Sequence, residues 1–339
     1  MGSIAPARIN VTPSLTLPEH ILQINQVSGY MDALSGGDPM PRLGENDLVV
    51  YINAHDVRVQ TQVGQVSSNQ LPGVTITSRQ ISTPTYMSRA RAEFDHHDTA
   101  AAASWGYSLP EAQRLGMRQA TFQKFRDSGL YGINPTNGEG LLNTVGATAV
   151  NLPADQFGNT TVVTYDPGSW ALFMAQQMLA TKTRTMQMGM GAKFTILGPQ
   201  RTLGLFEYDI VQLTNYQREG AGSNSAAGTL KAVTGWNLDD ITWTYDDTLI
   251  GKGAGGTDMV ILIMTEVKVP KGRKISTNEF AKLSPSLEAT ALQLCDMVAP
   301  REITTPLPGG ATDVLSELRL TSGWGVRPEA LSLISMQYS

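Results

Sequence analysis

The chain has one cysteine in 339 residues, Cys295, so no disulfide can form within it. That residue sits in the apolar run 291–295, which suggests a buried thiol kept in a reducing compartment. Charge is also scarce. Asp, Glu, Lys and Arg make up 16% of the chain, against roughly 25% in typical soluble domains. Such a chain is expected to have much of its surface covered by something other than water. There are 4 histidines, His20, His55, His96 and His97, and no lysine stands before Lys124. No apolar run approaches the ~18 residues that span a bilayer, so no membrane partner is expected. The first residues carry no basic segment followed by an apolar core, so no signal peptide is expected and the protein is read as made and kept in the cytosol. Pro6 stands where N-myristoylation needs Ser or Thr. Without export, the triplets Asn10-Val11-Thr12 and Asn159-Thr160-Thr161 have no bearing as glycosylation sites. Net charge is −5 and no block of Lys and Arg appears, which argues against a dedicated nucleic-acid binder.

Hydrophobic residues make up 41%, enough for a substantial core in two domains or one large discontinuous one. Residues 1–47 are broken by Pro6, Pro13, Pro18, Gly36-Gly37, Pro39 and Pro41. Apart from a short amphipathic piece at 19–22, they read as an extended arm. From Leu48 the pattern turns to strand: an apolar run at 48–52, then Val57, Val59, Thr61 and Val63 alternating with polar residues. Residues 64–73 are rich in turn formers, and 74–77 resume the strand. The sum is a long β-hairpin, read either as folded back on its own core or as a projecting arm whose strand edges invite pairing with a neighbouring subunit.

Asp95-His96-His97-Asp98 opens a short helix, with Asp98 read as its N-cap. Ser108-Leu109-Pro110-Glu111 is a stronger start, with a capping Ser, an early Pro and an acidic first turn. That helix is expected over 109–128, stopped by Gly129. Ala112, Leu115, Phe122 and Phe125 form its apolar stripe, with Arg114, Arg118 and Arg126 off that face. A second helix is predicted over 168–183, with Trp170, Phe173, Met174 and Met178 inward. Strands are predicted at 194–197, 206–213, 259–267, 315–322 and 331–336, and flexible glycine loops at 220–225 and 251–256. The fold class is α+β.

Catalytic patterns are thin. Gly251-Lys252-Gly253 lacks the spacing of a phosphate loop, and 253–258 opens onto a strand rather than a helix N-terminus, against dinucleotide binding. Cys295 has no histidine near it in sequence. Asp95, His96, His97 and Asp98 lack further ligands at metal spacing. Asp239-Asp240 and Asp246-Asp247 flank the alternating segment 241–245 and read as polar strand ends. A cytosolic hydrolase using Cys295 or these paired aspartates is the rival reading from another class. No catalytic, cofactor-binding or metal residue is assigned.

Two stretches carry a family likeness. One is the run 129–143, with its Gly140-Leu141-Leu142-Asn143 turn. The other is 322–330, Ser-Gly-Trp-Gly-Val-Arg-Pro-Glu-Ala, where a strand turns through an Arg-Pro pair. These are similar to short-tailed phage coat proteins, the group containing those of epsilon fifteen and the Bordetella phage. The order of elements resembles the tailed-phage major capsid protein of the Hong Kong 97 fold. The resemblance implies an N-terminal arm at 1–47, an extended loop at 48–94 and a peripheral domain at 95–165 holding the spine helix. It further implies a mainly axial domain at 166–300 and return strands at 301–339.

By the same resemblance the chain is a major capsid protein that self-assembles into hexamers and pentamers of an icosahedral shell. The shell encloses double-stranded DNA held by non-specific proximity. A separate scaffolding protein, a portal and a cement or decoration protein are implied, with assembly in the host cytoplasm and residence in the virion. An encapsulin-type compartment shell is the alternative within the fold. Relatives that crosslink through a loop lysine have no counterpart here, because the hairpin has no lysine. Arg58, Arg79, Arg89, Arg91, Arg114 and Arg118 are the candidates for contacts between subunits.

Overall fold

The computed structural model describes residues 43–44, 46–59, 74–104, 106, 108–185, 192–208, 210–211, 224–225, 240–267, 292–293, 301–325 and 327–339. Nearly all of the predicted arm, the hairpin tip and Cys295 lie outside the described residues.

Two sheets organise the chain. The first is antiparallel, in the order β1 (Val49–Val59), β2 (Val74–Phe94), β11 (Thr312–Thr321), β10 (Arg301–Pro306). Strand β2 is 21 residues long and changes partner midway. Val74 to Pro84 pair with β1, whereas Thr85 to Phe94 pair with β11. Only the outer half of β2 therefore belongs to the hairpin; the inner half is a body strand, which strand periodicity alone did not reveal. Pro84 stands at the handover, where a residue without an amide hydrogen breaks no ladder on a second side.

Helices α1 (His96–Ser104) and α2 (Leu109–Leu130) follow β2, and α2 packs along β2 and β11. Helix α1 begins at His96, and the carboxylate of Asp95 accepts its amide at 2.6 Å. The capping position is thus Asp95, and Asp98 lies inside the first turn. Helix α2 continues through Gly129 to Leu130, and Ser108 makes no side-chain cap bond. Its buried line runs through Met117, Phe125 and Ser128, with Gln113 and Thr121 half-buried. That line shares Phe125 with the predicted stripe and otherwise lies beside it. Leu115 and Phe122 are exposed at 39% and 42%, while Arg126 is buried and bonds Asp127 Oδ1.

The second sheet is mixed, in the order β3 (Thr148–Asn151), β13 (Leu331–Met336), β8 (Asp258–Val267), β4 (Ala192–Gly198), β7 (Asp240–Tyr245). Strand β8 is apolar from Met259 to Met264 because both of its faces are covered. Val260, Leu262 and Met264 face Trp170, Phe173, Met174 and Met178 of α3 (Pro167–Arg184) and Phe206 of α4 (Gln200–Tyr208). Met259, Ile261 and Ile263 face Phe125 and Leu130 of α2, with Leu141 and Leu249. Helix α3 starts properly capped, the Asp166 carboxylate accepting the Ser169 amide at 2.7 Å. The strand predicted at 206–213 is wrong at its start: α4 runs through Tyr208, and among the described residues the strand is the short β5 (Ile210–Val211), paired with β6 (Asn224–Ser225). Phe206 is apolar because it packs under Trp170, ring centroids 4.2 Å apart. A last small ladder joins β9 (Leu292–Gln293) to β12 (Trp324–Gly325).

The two sheets meet where the runs 129–143 and 322–330 touch. Gly323 donates its amide to Ser128 O and accepts from the Gly140 amide at 2.7 Å. The buried carboxylate of Glu139 accepts from Tyr86 Oη at 2.7 Å, from the Asn134 amide and from Ser322 Oγ, both at 3.0 Å. Asn143 Nδ2 closes the turn by donating to Tyr131 O and Glu139 O. One acid thereby ties β2, the post-helix turn and the end of β11.

Burial, together with the hydrogen bond to Glu139, pushes the Tyr86 phenol up to about 12. With the folded value above the unfolded one, its contribution to stability is full below about pH 10 and is lost as pH rises through about 12. Tyr86→Phe should remove one late phenol ionisation from an alkaline absorbance titration. A Cβ on Gly323 would lie 2.4 Å from Gly129 O, so Gly323→Ala should cost about 2–3 kcal/mol in denaturant unfolding.

Candidate functional site

The arginines singled out from the sequence fall into three places. Arg58 and Arg79 lie on the hairpin, opposite Thr75 and Ala54 respectively; their side chains are not among those described. Arg89 and Arg91 share the outer face of the inner half of β2. Arg89 stands opposite Glu317 and pairs with it at 2.9 Å. Arg91 reaches diagonally to Asp313 at 2.9 Å, and also to Glu93 at 3.4 Å. The bond from Asp313 holds the Arg91 guanidinium more firmly protonated than usual. The guanidinium groups remain 63% and 56% exposed, whereas Glu317 and Asp313 are mostly covered. This face thus presents a ladder of arginines whose charge is balanced from below. Exposed pairs of this kind contribute little to folding, so their positions are not explained by stability.

Arg114 and Arg118 belong to the opposite face. They bracket Glu302 of β10 at 3.8 and 4.0 Å, linking α2 to the edge of the first sheet. Arg118 stays 75% exposed and lies on one ridge of α2 with Leu115 and Phe122.

The paired aspartates do structural work. Asp246 accepts from the Thr248 amide and hydroxyl, at 2.9 and 2.6 Å. Asp247 accepts the Gln200 amide at 2.8 Å and so starts α4. Asp240 opens β7 in the exposed state, and Asp239 lies outside the described residues. His96 and His97 stack on each other at 3.8 Å, with Asp95 on His96 Nδ1. Among the described residues no group of three or more His, Cys, Asp or Glu converges to hold a metal ion.

A feature that sequence reading missed lies at the end of the second sheet where β8 starts. Strand pairing brings the ends of β3, β4, β7 and β13 and the start of β8 together there. Asp258 is 1% exposed, takes two bonds from Arg201 at 2.8 and 2.5 Å, and one from Thr202 Oγ1 at 2.7 Å. Burial alone would raise the Asp258 carboxyl, but the bonds from Arg201, Thr202 and the Gly251 amide outweigh it and hold the group below the usual carboxylate range. The loop 251–256, predicted to be flexible, is pinned by that carboxylate, by Gly253 N to Thr257 O at 2.7 Å, and by Ala254 N to Ser335 Oγ at 3.0 Å.

On the same rim, the loop between β3 and α3 is built on Asp155. Its buried carboxylate accepts from the amides of Phe157, Asn159 and Asp166 at 2.9, 2.7 and 2.9 Å, and from Asn159 Nδ2 at 3.1 Å. The ring it supports, Phe157, is 74% exposed. The segment Asp155-Gln156-Phe157-Gly158-Asn159 was the available signal, an Asx turn presenting the residue two places on.

With the geometry in view, comparison with solved structures is decisive for the fold. The chain is similar to the capsid of Myoviridae phage XM1, at 13% identity and TM-score 0.66, covering 95% of this chain and 96% of that one. It is similar to the capsid of the native GTA particle, at 10% identity and TM-score 0.57, covering 96% and 95%. A third likeness is to the capsid of Cyanophage P-SCSP1u, at 12% identity and TM-score 0.54, covering 96% and 93%. The chain has the Hong Kong 97-type capsid fold. No protein-family model matches it, and no curated protein matches its sequence.

The Asp258 carboxyl is lowered on folding, so its contribution to stability is present above the unfolded value near 4 and is lost as pH falls through the folded one. Asp258→Asn should cost about 1–2 kcal/mol at pH 7, because it weakens the bonds to Arg201, which water partly replaces, and to the pinned loop. The same variant should flatten the acid limb of a stability-versus-pH curve measured by urea unfolding.

Proposed function

We propose that this protein is the major capsid subunit of a tailed phage, self-assembling into pentamers and hexamers of a closed shell around double-stranded DNA. The observation that carries the reading is the mutual coverage of about 95% with a solved phage capsid, together with a long β1–β2 hairpin. The outer half of β2 has β1 as its partner, and Leu48 and Tyr51 at its base are 69% and 58% exposed. Laid over a neighbour, such an arm buries what is exposed here. On this reading the role is structural rather than catalytic.

In the terms of the fold, the first sheet with α1 and α2 is the peripheral domain and α2 the spine helix. The second sheet with α3 and α4 is the axial domain, and it takes in β3 and β13 as well as the segment 166–300. Residues 1–47 form the arm and 48–94 the extended loop, whose root is the inner half of β2. Arg58 and Arg79 on the hairpin, Arg89 and Arg91 on the ladder, and Arg114 and Arg118 on α2 contact neighbouring subunits. A separate scaffolding protein, a portal and a cement protein complete the partners. The acidic balance of the chain suits a wall that encloses DNA without gripping it. Assembly takes place in the host cytoplasm, and the finished protein resides in the virion.

Light scattering with negative-stain microscopy of the purified chain tests this, with and without a coexpressed scaffold. Rings, capsomers or closed shells are expected. A compact 36.5 kDa monomer that persists at high concentration under both conditions would overturn the proposal.

A further inference from the structure

We infer that Asn137-Gly138 is a self-modifying site kept silent by the closed joint between the two sheets: once the joint opens, Asn137 converts to isoaspartate and the joint cannot close again. The site belongs to the turn that carries Glu139 and does not depend on the shell reading.

The residues carry the chemistry. Asn137 is followed directly by glycine, the one Asn-Gly pair in the chain. Glycine has no Cβ to shield its amide, so the Gly138 nitrogen is open to the side chain before it. That nitrogen attacks Cγ of Asn137 and a five-membered imide closes. Nδ2 leaves as ammonia, carrying the proton that the Gly138 nitrogen gives up. Water then opens the ring. Addition at Cγ gives aspartate, whereas addition at the main-chain carbonyl carbon gives isoaspartate, in which the chain runs through Cβ and Cγ. Water is the only reagent consumed and ammonia the only product released. Asn137 is exposed, and its carboxamide bonds no described residue, so the leaving group is unrestrained.

The fold holds the attacking group back. Pro135–Asn137 form one 3-10 turn, and the Gly138 amide donates to Pro135 O at 3.1 Å. An amide hydrogen so engaged is not readily lost, and the turn must unwind before Cγ and the nitrogen can meet. The Asn137 amide donates to Asn134 O at 3.1 Å, and the Asn134 amide to Glu139 Oε2 at 3.0 Å. Residues 134–139 are thus a loop closed by the same buried carboxylate that bonds Tyr86 and Ser322. Opening the joint releases that carboxylate, and with it the turn that restrains Gly138.

Conversion is one-way for a reason of length. Isoaspartate adds one carbon to the main chain inside this loop, two residues before Glu139. The chain beside it has no slack, since a Cβ on Gly140 would lie 2.4 Å from Gly132 N. A lengthened loop cannot return the Glu139 carboxylate to three partners on three segments. Aspartate keeps the chain length and places its charge at an exposed position, so that product leaves the joint able to close.

The test holds the full chain at mildly alkaline pH, folded in buffer in one sample and unfolded in urea in the other. Peptide mapping by mass spectrometry follows every asparagine, and enzymatic methylation of isoaspartate separates the two products. Asn137 should convert before any other asparagine in urea, and more slowly in the folded chain by about ten-fold or more. After urea is removed the isoaspartate fraction should fail to refold. Asn137→Asp and Asn137→Gln chains held in urea equally long should refold as the fresh parent does. Equal rates in the two samples would overturn the silencing, and earlier conversion elsewhere would overturn the site. An isoaspartate fraction that refolds would overturn the one-way step. Should Asn137→Asp fail to fold at all, Asn137→Gln decides: if it loses refolding as fast as the parent does, the loss has another cause and the proposal falls.

Discussion

Everything in this molecule depends on how closely the main chain passes itself at the joint between the two sheets. Gly132, Gly140 and Gly323 let three segments approach to hydrogen-bonding range; a Cβ at Gly132 would lie 2.3 Å from Glu139 O. The Glu139 carboxylate sits among them with every described bond directed to a different segment. A buried acid with its partners in place specifies geometry more than it adds stability. Here the geometry specified is the orientation of α2 and β2 against the five-stranded sheet. The hairpin is set by the same joint, since it continues from the strand that Tyr86 anchors.

On the proposed reading as a shell subunit, two demands are separated. The second sheet is covered on both faces and supplies the stable body, whereas the first sheet exposes the charged face that carries Arg89 and Arg91. The low charge content fits this division: few charges are needed for solubility when much of the exposed surface is destined for a neighbour. The charges that are present are held in place, as the Arg89 and Arg91 ladder is by Glu317 and Asp313. Fixed charges favour register and orientation over raw affinity.

Much of the fold was legible in the sequence where one period dominated. The helices at 109–128 and 168–183 and the strands at 259–267 and 331–336 appear within a few residues of their predicted limits. The failures have physical causes. At 206–213 an apolar, β-branched tail hid the end of a helix whose Phe206 packs under Trp170. On α2 the stripe was misjudged because the helix lies on a sheet at one end and enters a core at the other, which buries Arg126 and exposes Leu115. Site-level features were less legible. The six arginines were visible as types, but the carboxylates that Arg89 and Arg91 meet depended on the pairing of β2 with β11, some 220 residues away in sequence. Asp258 was invisible as an organiser, since nothing in a single carboxylate announces how many groups will turn toward it.

The central claim is that one copy is an incomplete structure whose hairpin becomes buried in a shell. Hydrogen–deuterium exchange on the isolated subunit and on assembled particles tests it most directly. The amides of β1 and of the outer half of β2 should exchange quickly in the subunit and slow by orders of magnitude on assembly. Those of β8 and β13 should be protected in both. Equal protection of the hairpin before and after assembly would contradict the account, because the arm would then be completed within its own chain.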